Sequence, residues 1–314
     1  MIKKINKGIV VRSTGSWYEV RTEVGEVISC KFKGKFKIAG IKSTNPIAVG
    51  DRVSFIRMEE EDTGVIDSIE KRTNYIIRKS TKLSKLTHII AANIDYALLV
   101  ITISQPRTST GFIDRFLLTA EAYHIPAVLV FNKLDINTKE EQEVQEDWIE
   151  KYTKLGYDCL QTSALTAQGI PKLKELMKDK TSMFGGHSGV GKSALINTIQ
   201  PGVQLKTAEI STFNQKGKHT TTFAEMHPLD IGGFIIDTPG IKEFGLVNFE
   251  KGDVAAYFPE MRALMHLCKF NNCLHHNEPI CAVKDAVESG EIAQSRYNNY
   301  LAIIMDEDIK KKPF

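Results

Sequence analysis

FNKLD at residues 131–135 and GGHSGVGKS at residues 185–193 decide the fold by the order in which they occur. The first is the pattern of a turn that reads guanine. The Asp135 carboxylate can accept two hydrogen bonds from the N1–H and N2–H2 edge of that base, a pairing adenine cannot return. Asn132 would tie the turn to the base or to a neighbouring loop, and the stem of Lys133 would cover the base face. In the second stretch Gly186, Gly191, Lys192 and Ser193 satisfy Gly-x-x-x-x-Gly-Lys-Ser. Its glycines let backbone N–H groups turn onto phosphate oxygens, Lys192 supplies positive charge, and the Ser193 hydroxyl suits Mg2+. Sites that combine the two normally carry the phosphate loop first, whereas here it comes about fifty residues later. Either one match is accidental or the chain has been rearranged.

The surroundings of both stretches favour rearrangement. DYALLVITIS and PAVLVFNKLD are apolar runs with polar ends, separated by the helical GFIDRFLLTAEAYH, as in buried parallel strands with crossover helices. YDCLQTSA, TSMFGGHSG and GGFIIDTPG repeat the theme, with helices expected at 138–155, 169–180 and 192–199. The result is a doubly wound α/β domain, whose ligand lies at the carboxyl ends of its strands. Ser163 and Ala164 in TSA end one strand and suit a backbone N–H contact to guanine O6. Asp237 in DTPG ends another and suits a Mg2+ site, while the N–H of Gly240 would sense a γ phosphate. The motifs then run base reader, second base contact, phosphate loop, metal aspartate, which is the usual cycle cut open at one point. A fold is held by spatial contacts, and termini that lie close together can be rejoined elsewhere. Helix 169–180 and the TSMF strand would supply the new join.

Residues 1–73 read differently, as short strands GIVVRST, WYEVRT, EVISCKF, DRVSFIRM and TGVIDSIE between turns. Such spacing predicts a closed sheet of about five strands, an OB-like β-barrel, though an SH3-like barrel would leave a similar trace. Residues 1–58 carry 12 Lys or Arg against 4 Asp or Glu, with the acidic run Glu59–Asp62 directly after them. A basic module of this kind suits phosphate contacts with RNA, and Trp17, Tyr18 and Phe32 either stack on bases or fill the barrel. Net charge over all 314 residues is only +3 and would not argue for nucleic acid by itself.

Beyond residue 248 come AYFPEMRALMHLC and then a Cys/His cluster. Cys268, Cys273, His275 and Cys281 have the spacing C-x4-C-x-H-x5-C, three thiolates and an imidazole, which suits one tetrahedral Zn2+ with no open position. Its role would be structural, pinning two flanking helices, with His276 an adjacent competitor for the fourth position. Cys30 and Cys159 fall within strand patterns and read as core residues. No run reaches the roughly 18–20 apolar residues of a membrane helix, and MIKKINKGIVVRSTGSW lacks the apolar centre of a signal peptide, so a cytoplasmic, membrane-free protein is expected.

With NKLD, SA, GGHSGVGKS, GKHTTT, DTPG and the tail CKFNNCLHHNEPICAVKDAVESGEI in that order, the chain resembles the circularly permuted ribosome-biogenesis GTPases, the RsgA or YjeQ family, over nearly its whole length. The resemblance implies three parts: an RNA-binding barrel at 1–73, a permuted GTPase domain at 74–248, and a helical zinc-binding domain at 249–314. It implies a monomer that binds GTP and GDP, contacts the small ribosomal subunit and its 16S rRNA late in assembly, and leaves on hydrolysis. It places Ser188, Gly189, Val190 and Ala194 in the nucleotide site beside the residues above, and it favours His275 over His276 as the zinc ligand.

It also makes GKHTTT at 217–222 the first switch. Ile241 stands where many GTPases have a water-orienting glutamine, so the water needs another partner, and His219 is implied as catalytic beside Lys192. An exposed loop histidine would leave the same trace. One of Thr220, Thr221 and Thr222 would join Ser193 and Asp237 on Mg2+, Thr221 being the favoured one. Lys218 stands where the family often has Arg, which removes a bidentate phosphate contact there. Two rival readings remain: an RNA-binding module for which GTP is only a switch ligand, and a P-loop metabolic kinase or ATPase.

Overall fold

The computed structural model describes residues 5–32, 46–58, 61–79, 87–203, 224–237 and 250–305. Its strands are β1 (Ile5–Ser13), β2 (Tyr18–Thr22), β3 (Val27–Phe32), β4 (Arg52–Met58), β5 (Thr63–Ile69), β6 (Tyr75–Lys79), β7 (Thr87–Ala92), β8 (Tyr96–Ile101), β9 (Ala127–Phe131), β10 (Asp158–Gln161), β11 (Thr181–Gly185), β12 (Glu225–Pro228) and β13 (Phe234–Asp237). Its α-helices are α1 (Thr110–Ala122), α2 (Lys139–Lys154), α3 (Ile170–Met177), α4 (Lys192–Ile199), α5 (Pro259–Leu264), α6 (Ala282–Glu288) and α7 (Gln294–Met305). Two compact units result. The first holds Met1–Leu98, Gly169–Phe184 and Lys192–Lys242; the second holds Leu99–Gln168, Gly185–Gly191 and Glu243–Phe314.

In the first unit the period-2 pattern closes on itself. Ile28 and Cys30 of β3 point inward while Val27, Ser29 and Lys31 point out, and Val53 with Phe55 does the same on β4. The strands run β1-β2-β3-β5-β4, with β3 parallel to β5, and β1 also pairs with β4 from Ile5↔Ile56 to Ile9↔Arg52. That pairing closes the barrel, so the OB-like expectation stands with its strand order now visible. Its centre is Val10, Tyr18, Val20, Ile28, Cys30, Val53, Phe55 and Ile66. Burial pushes the Cys30 thiol up to about 12, which suits an inert core residue. Tyr18 therefore fills the barrel, whereas Trp17 is exposed and has the Lys31 ammonium 4.3 Å from its ring centre.

The barrel is tied off by a buried ion pair. Arg72 grips Asp51 in two-pronged fashion, Nε to Oδ1 and Nη2 to Oδ2 at 2.6 Å each, and also donates to the Pro46 carbonyl at 2.7 Å. The antiparallel hairpin of β6 and β7, absent from the sequence-based reading, sits against Gly50, where a Cβ would meet the Ala92 carbonyl oxygen at 2.1 Å. Further along, β11 pairs in parallel with β13, and β12 runs antiparallel to it and meets β1 at Arg12↔Glu225. Helix α3 ends short of the expected 180, because Lys178 leaves helical geometry and Asp179 takes φ +57°.

In the second unit β9 is buried almost throughout and pairs in parallel with β10, from Asp158↔Val128 to Gln161↔Phe131. Helix α1 is capped by the Ser109 side chain on the Phe112 N–H. Thr138 and Glu141 form a reciprocal capping box on α2. The C-terminal helices bury Val254, Phe258, Met261, Tyr300, Ile303 and Ile304 in one cluster, which Leu118 of α1 joins.

Candidate nucleotide and metal sites

The base-reading turn and the phosphate loop meet within the second unit through Asn132. This side chain is buried; its Nδ2 donates to the Val190 carbonyl at 2.9 Å, while its Oδ1 accepts from the Thr162 hydroxyl at 3.2 Å and the Ala164 N–H at 3.3 Å. One amide thus ties FNKLD to both TSA and GGHSGVG, and its Nδ2 turns to the phosphate loop. Gly191 has φ +97°, and a Cβ there would lie 2.4 Å from Asn132 Nδ2, so no other residue fits. Gly186, at φ +133°, is similarly confined by the Val100 carbonyl oxygen at 2.5 Å.

Asp135 is exposed, and its Oδ1 accepts a short hydrogen bond from the Ser163 hydroxyl. That hydroxyl also accepts from the Thr166 N–H at 3.1 Å, so Ser163 aims the carboxylate while the outward oxygen stays available. Lys133 takes the left-handed conformation, φ +67°, and its ammonium donates to the Gln105 carbonyl at 2.6 Å. The 102–109 loop was not singled out from the sequence, yet Pro106 also lies beside Gly189, 3.5 Å from where its Cβ would stand. Its only local signal is the Gln-Pro dipeptide, which marks a turn and nothing more.

Lys192 and Ser193 open α4, and Asp237 ends β13, all in the first unit. Both positions are those the chemistry asks for: a helix N-terminus for phosphate and a strand end for a metal aspartate. Ser188 and Ala194 are exposed and Val190 is buried. His219, Thr220, Thr221, Thr222, Lys218, Gly240 and Ile241 lie outside the described residues.

The metal ligands proposed from spacing converge. Cys268, Cys273, His275 and Cys281 place one ligand atom each within 4.8 Å of one another. His275 Nδ1 lies 3.5 Å from Cys268 Sγ and 3.4 Å from Cys281 Sγ, and the two sulfurs are 3.8 Å apart. Tetrahedral zinc, with bonds of about 2.3 Å to sulfur and about 2.0 Å to nitrogen, separates its ligand atoms by roughly 3.5–3.8 Å, so the residues fit. The backbone N–H of His276 donates to Glu278 Oε2 at 3.0 Å, and the other oxygen of that carboxylate accepts from the Leu274 N–H at 2.9 Å. Burial opposes the charge on Glu278, but these backbone hydrogen bonds outweigh it and hold the carboxyl below its ordinary range. The loop also carries strain: Ile280, β-branched and exposed, has φ +56°. Tyr297 and Tyr300 of α7 donate to the carbonyls of His275 and Leu274 at 2.7 Å each. Neither tyrosine carries a motif, so spacing alone did not reveal them.

Comparison with known proteins shows the family of the chain. A model of the RsgA N-terminal domain matches residues 7–66, and one of the RsgA GTPase matches residues 69–247. A small ribosomal subunit biogenesis GTPase RsgA of Bacteroides fragilis is 50% identical over 96% of this chain and 97% of its own. The protein of the same name from Flavobacterium johnsoniae is 54% identical over 96% and 93%. Among solved structures, YjeQ from Thermotoga maritima superposes with a TM-score of 0.80 at 37% identity, covering 99% of this chain and 100% of that one. YloQ, described as a circularly permuted GTPase, gives 0.74 at 32% over 99% and 97%.

Proposed function

Because the chain belongs to the RsgA GTPase family and its G-domain is circularly permuted, we propose that it hydrolyses GTP in the course of small ribosomal subunit maturation. The observation that carries this reading is the Asn132 amide on the Val190 carbonyl, which joins the base-reading turn to the phosphate loop despite a sequence separation of 58. A pair of accidental motifs would have no reason to meet.

In this reading Asp135 takes the guanine N1–H and N2–H2, the Ala164 N–H takes O6, and the Lys133 stem covers one face of the base. Backbone N–H groups of Gly186, Ser188, Gly189, Val190 and Gly191 face the phosphates, with Lys192 on the β and γ groups and Ala194 behind them. Ser193, Thr221 and Asp237 are the residues for Mg2+, which when bound neutralises charge on the phosphate oxygens. His219 orients the water, whose oxygen bonds to the γ phosphorus as the bond to the β–γ bridging oxygen breaks, leaving GDP and phosphate. The N–H of Gly240 reports the γ phosphate to the next segment of chain.

We divide the labour as barrel 1–73, GTPase 74–248 and zinc module 249–314, the last holding one structural Zn2+ on Cys268, Cys273, His275 and Cys281. The barrel and zinc module grip 16S rRNA while the monomer works in the cytoplasm, and the subunit stimulates a slow intrinsic turnover. The test is GTP turnover by the purified protein with and without small ribosomal subunits, repeated with His219→Ala. A rise on adding subunits that His219→Ala abolishes is expected. Unchanged turnover with subunits would favour a GTP-switched RNA-binding module, and equal competition by ATP would favour a metabolic kinase.

A further inference from the structure

Two sets of contacts meet on α1, and neither involves a residue assigned above to the nucleotide or to the metal. On one side the Phe112 ring stacks on His187 of the phosphate loop, 4.0 Å between centres at a 30° tilt. One turn further, the Phe116 ring lies so close to Gly185 that a Cβ there would be 2.5 Å from it. On the other side Asp114, fully buried, accepts from three donors: Arg296 Nη1 at 2.7 Å and Tyr152 Oη at 2.8 Å on Oδ1, and Asn299 Nδ2 at 2.6 Å on Oδ2. Arg296 and Asn299 both belong to α7. Arg296 also donates to Glu260 of α5, Nε to Oε1 at 2.7 Å and Nη2 to Oε2 at 3.1 Å.

Helix α7 is also the element that holds the metal loop, through Tyr297 and Tyr300 on the carbonyls of His275 and Leu274. A buried carboxylate with three donors does not shift one partner at a time, since any slip of α1 on α7 leaves a charge without its counter-charge. Packing agrees, for Leu118 of α1 lies in the same cluster as Tyr300 and Ile303 of α7. The two helices therefore move as one body, with the metal loop at one end and the floor of the phosphate loop at the other.

We infer that Asp114 is a positioning residue for the phosphate loop, and that through the α1–α7 body the metal centre and a guanine nucleotide bind cooperatively. The inference rests on the nucleotide site proposed above. Metal bound at the knuckle fixes α7, α7 fixes α1, and Phe112 with Phe116 then props the loop in one arrangement. A nucleotide that selects that arrangement must, by linkage, tighten the metal by the same factor.

The test uses full-length, zinc-loaded protein and tracks zinc transfer to a chromogenic chelator with and without GDP, beside direct titration of a fluorescent GDP analogue. GDP is expected to raise the chelator concentration needed by about tenfold, within the usual range of such couplings. Zinc-stripped protein should bind the analogue more weakly by the same factor. Asn299→Ala and Arg296→Gln should bring both factors close to one, and Arg296→Lys, which keeps the charge on Asp114, should restore part of them. Simple structural weakening would lower the melting temperature without erasing the ratio. If GDP binds but leaves zinc transfer unchanged in the unmutated protein, the inference is overturned, as it is if Asn299→Ala keeps the full ratio. Should the unmutated protein bind no GDP at all, the proposed nucleotide site itself fails.

Discussion

In the base-reading role proposed for it, Asp135 acts through a single carboxylate, and the Ser163 hydroxyl sets its orientation. By holding Oδ1, Ser163 fixes the plane in which the group would face a base. Replacing Asp135 by Asn turns one acceptor into a donor, which repels the guanine N–H edge and welcomes a second carbonyl. GDP affinity should fall by about 100-fold, the loss of roughly 3 kcal/mol expected for charge-assisted hydrogen bonds, while xanthosine diphosphate gains; competition titration of the two nucleotides reads the change. Gly191→Ala attacks the same site from the other loop. Its new methyl would stand 2.4 Å from Asn132 Nδ2 at a φ of +97°, so the Asn132–Val190 hydrogen bond has to break. Nucleotide binding should be lost, and a thermal melt read by circular dichroism should show the fold retained at a somewhat lower melting temperature.

Among the elements, the barrel illustrates what sequence patterns reveal and what they hide. Its five strands were legible because inward and outward residues alternate on β3 and β4 and turn residues separate the runs. The Arg72 clamp was not, since nothing local connects an arginine after β5 to Asp51 before β4. Asp51 has no exposure, so Arg72→Ala would strand a buried charge and should cost about 3–5 kcal/mol by denaturant unfolding. Removing both partners should restore part of that loss. The hairpin of β6 and β7 and the four-residue β12 escaped notice for related reasons: EMHP is short and ends in proline, and one of its two partners, β1, is far away in sequence. In the candidate sites the motif residues were legible because phosphate, guanine and zinc each dictate residue type and spacing. The residues that aim them were hidden: Gln105 under Lys133, Glu278 in the metal loop, and Asp114 bound to Arg296 across 182 residues. Such partners are chosen by tertiary proximity, which no window of sequence contains.

For the molecule as a whole, the permuted order changes which part of the chain follows the proposed γ-phosphate sensor. Here the segment after Asp237 and Gly240 leads to the helices that flank the Cys/His cluster instead of another strand of the G-domain. Loss of the γ phosphate should therefore be felt at the C-terminal module, one of two surfaces proposed to grip RNA. The other is the barrel, where Lys31 and Arg52 are exposed among the 12 basic residues of positions 1–58. Phosphate contacts of this kind release counterions, so affinity for the subunit should fall steeply with salt, by about 10³-fold or more between 50 and 200 mM if six or more phosphates are engaged. Release on hydrolysis adds a second requirement. At one fixed salt concentration, a non-hydrolysable GTP analogue should keep the protein on small subunits through sedimentation, and GDP should leave it in the supernatant. Lys31→Glu should weaken both states in proportion, because the phosphate contact proposed for the barrel does not depend on the nucleotide. Cys281→Ser should reduce the difference between them, because the module that senses the switch has lost its metal. Equal retention with GDP and the analogue would break the link between hydrolysis and departure, even in a protein that hydrolyses GTP well.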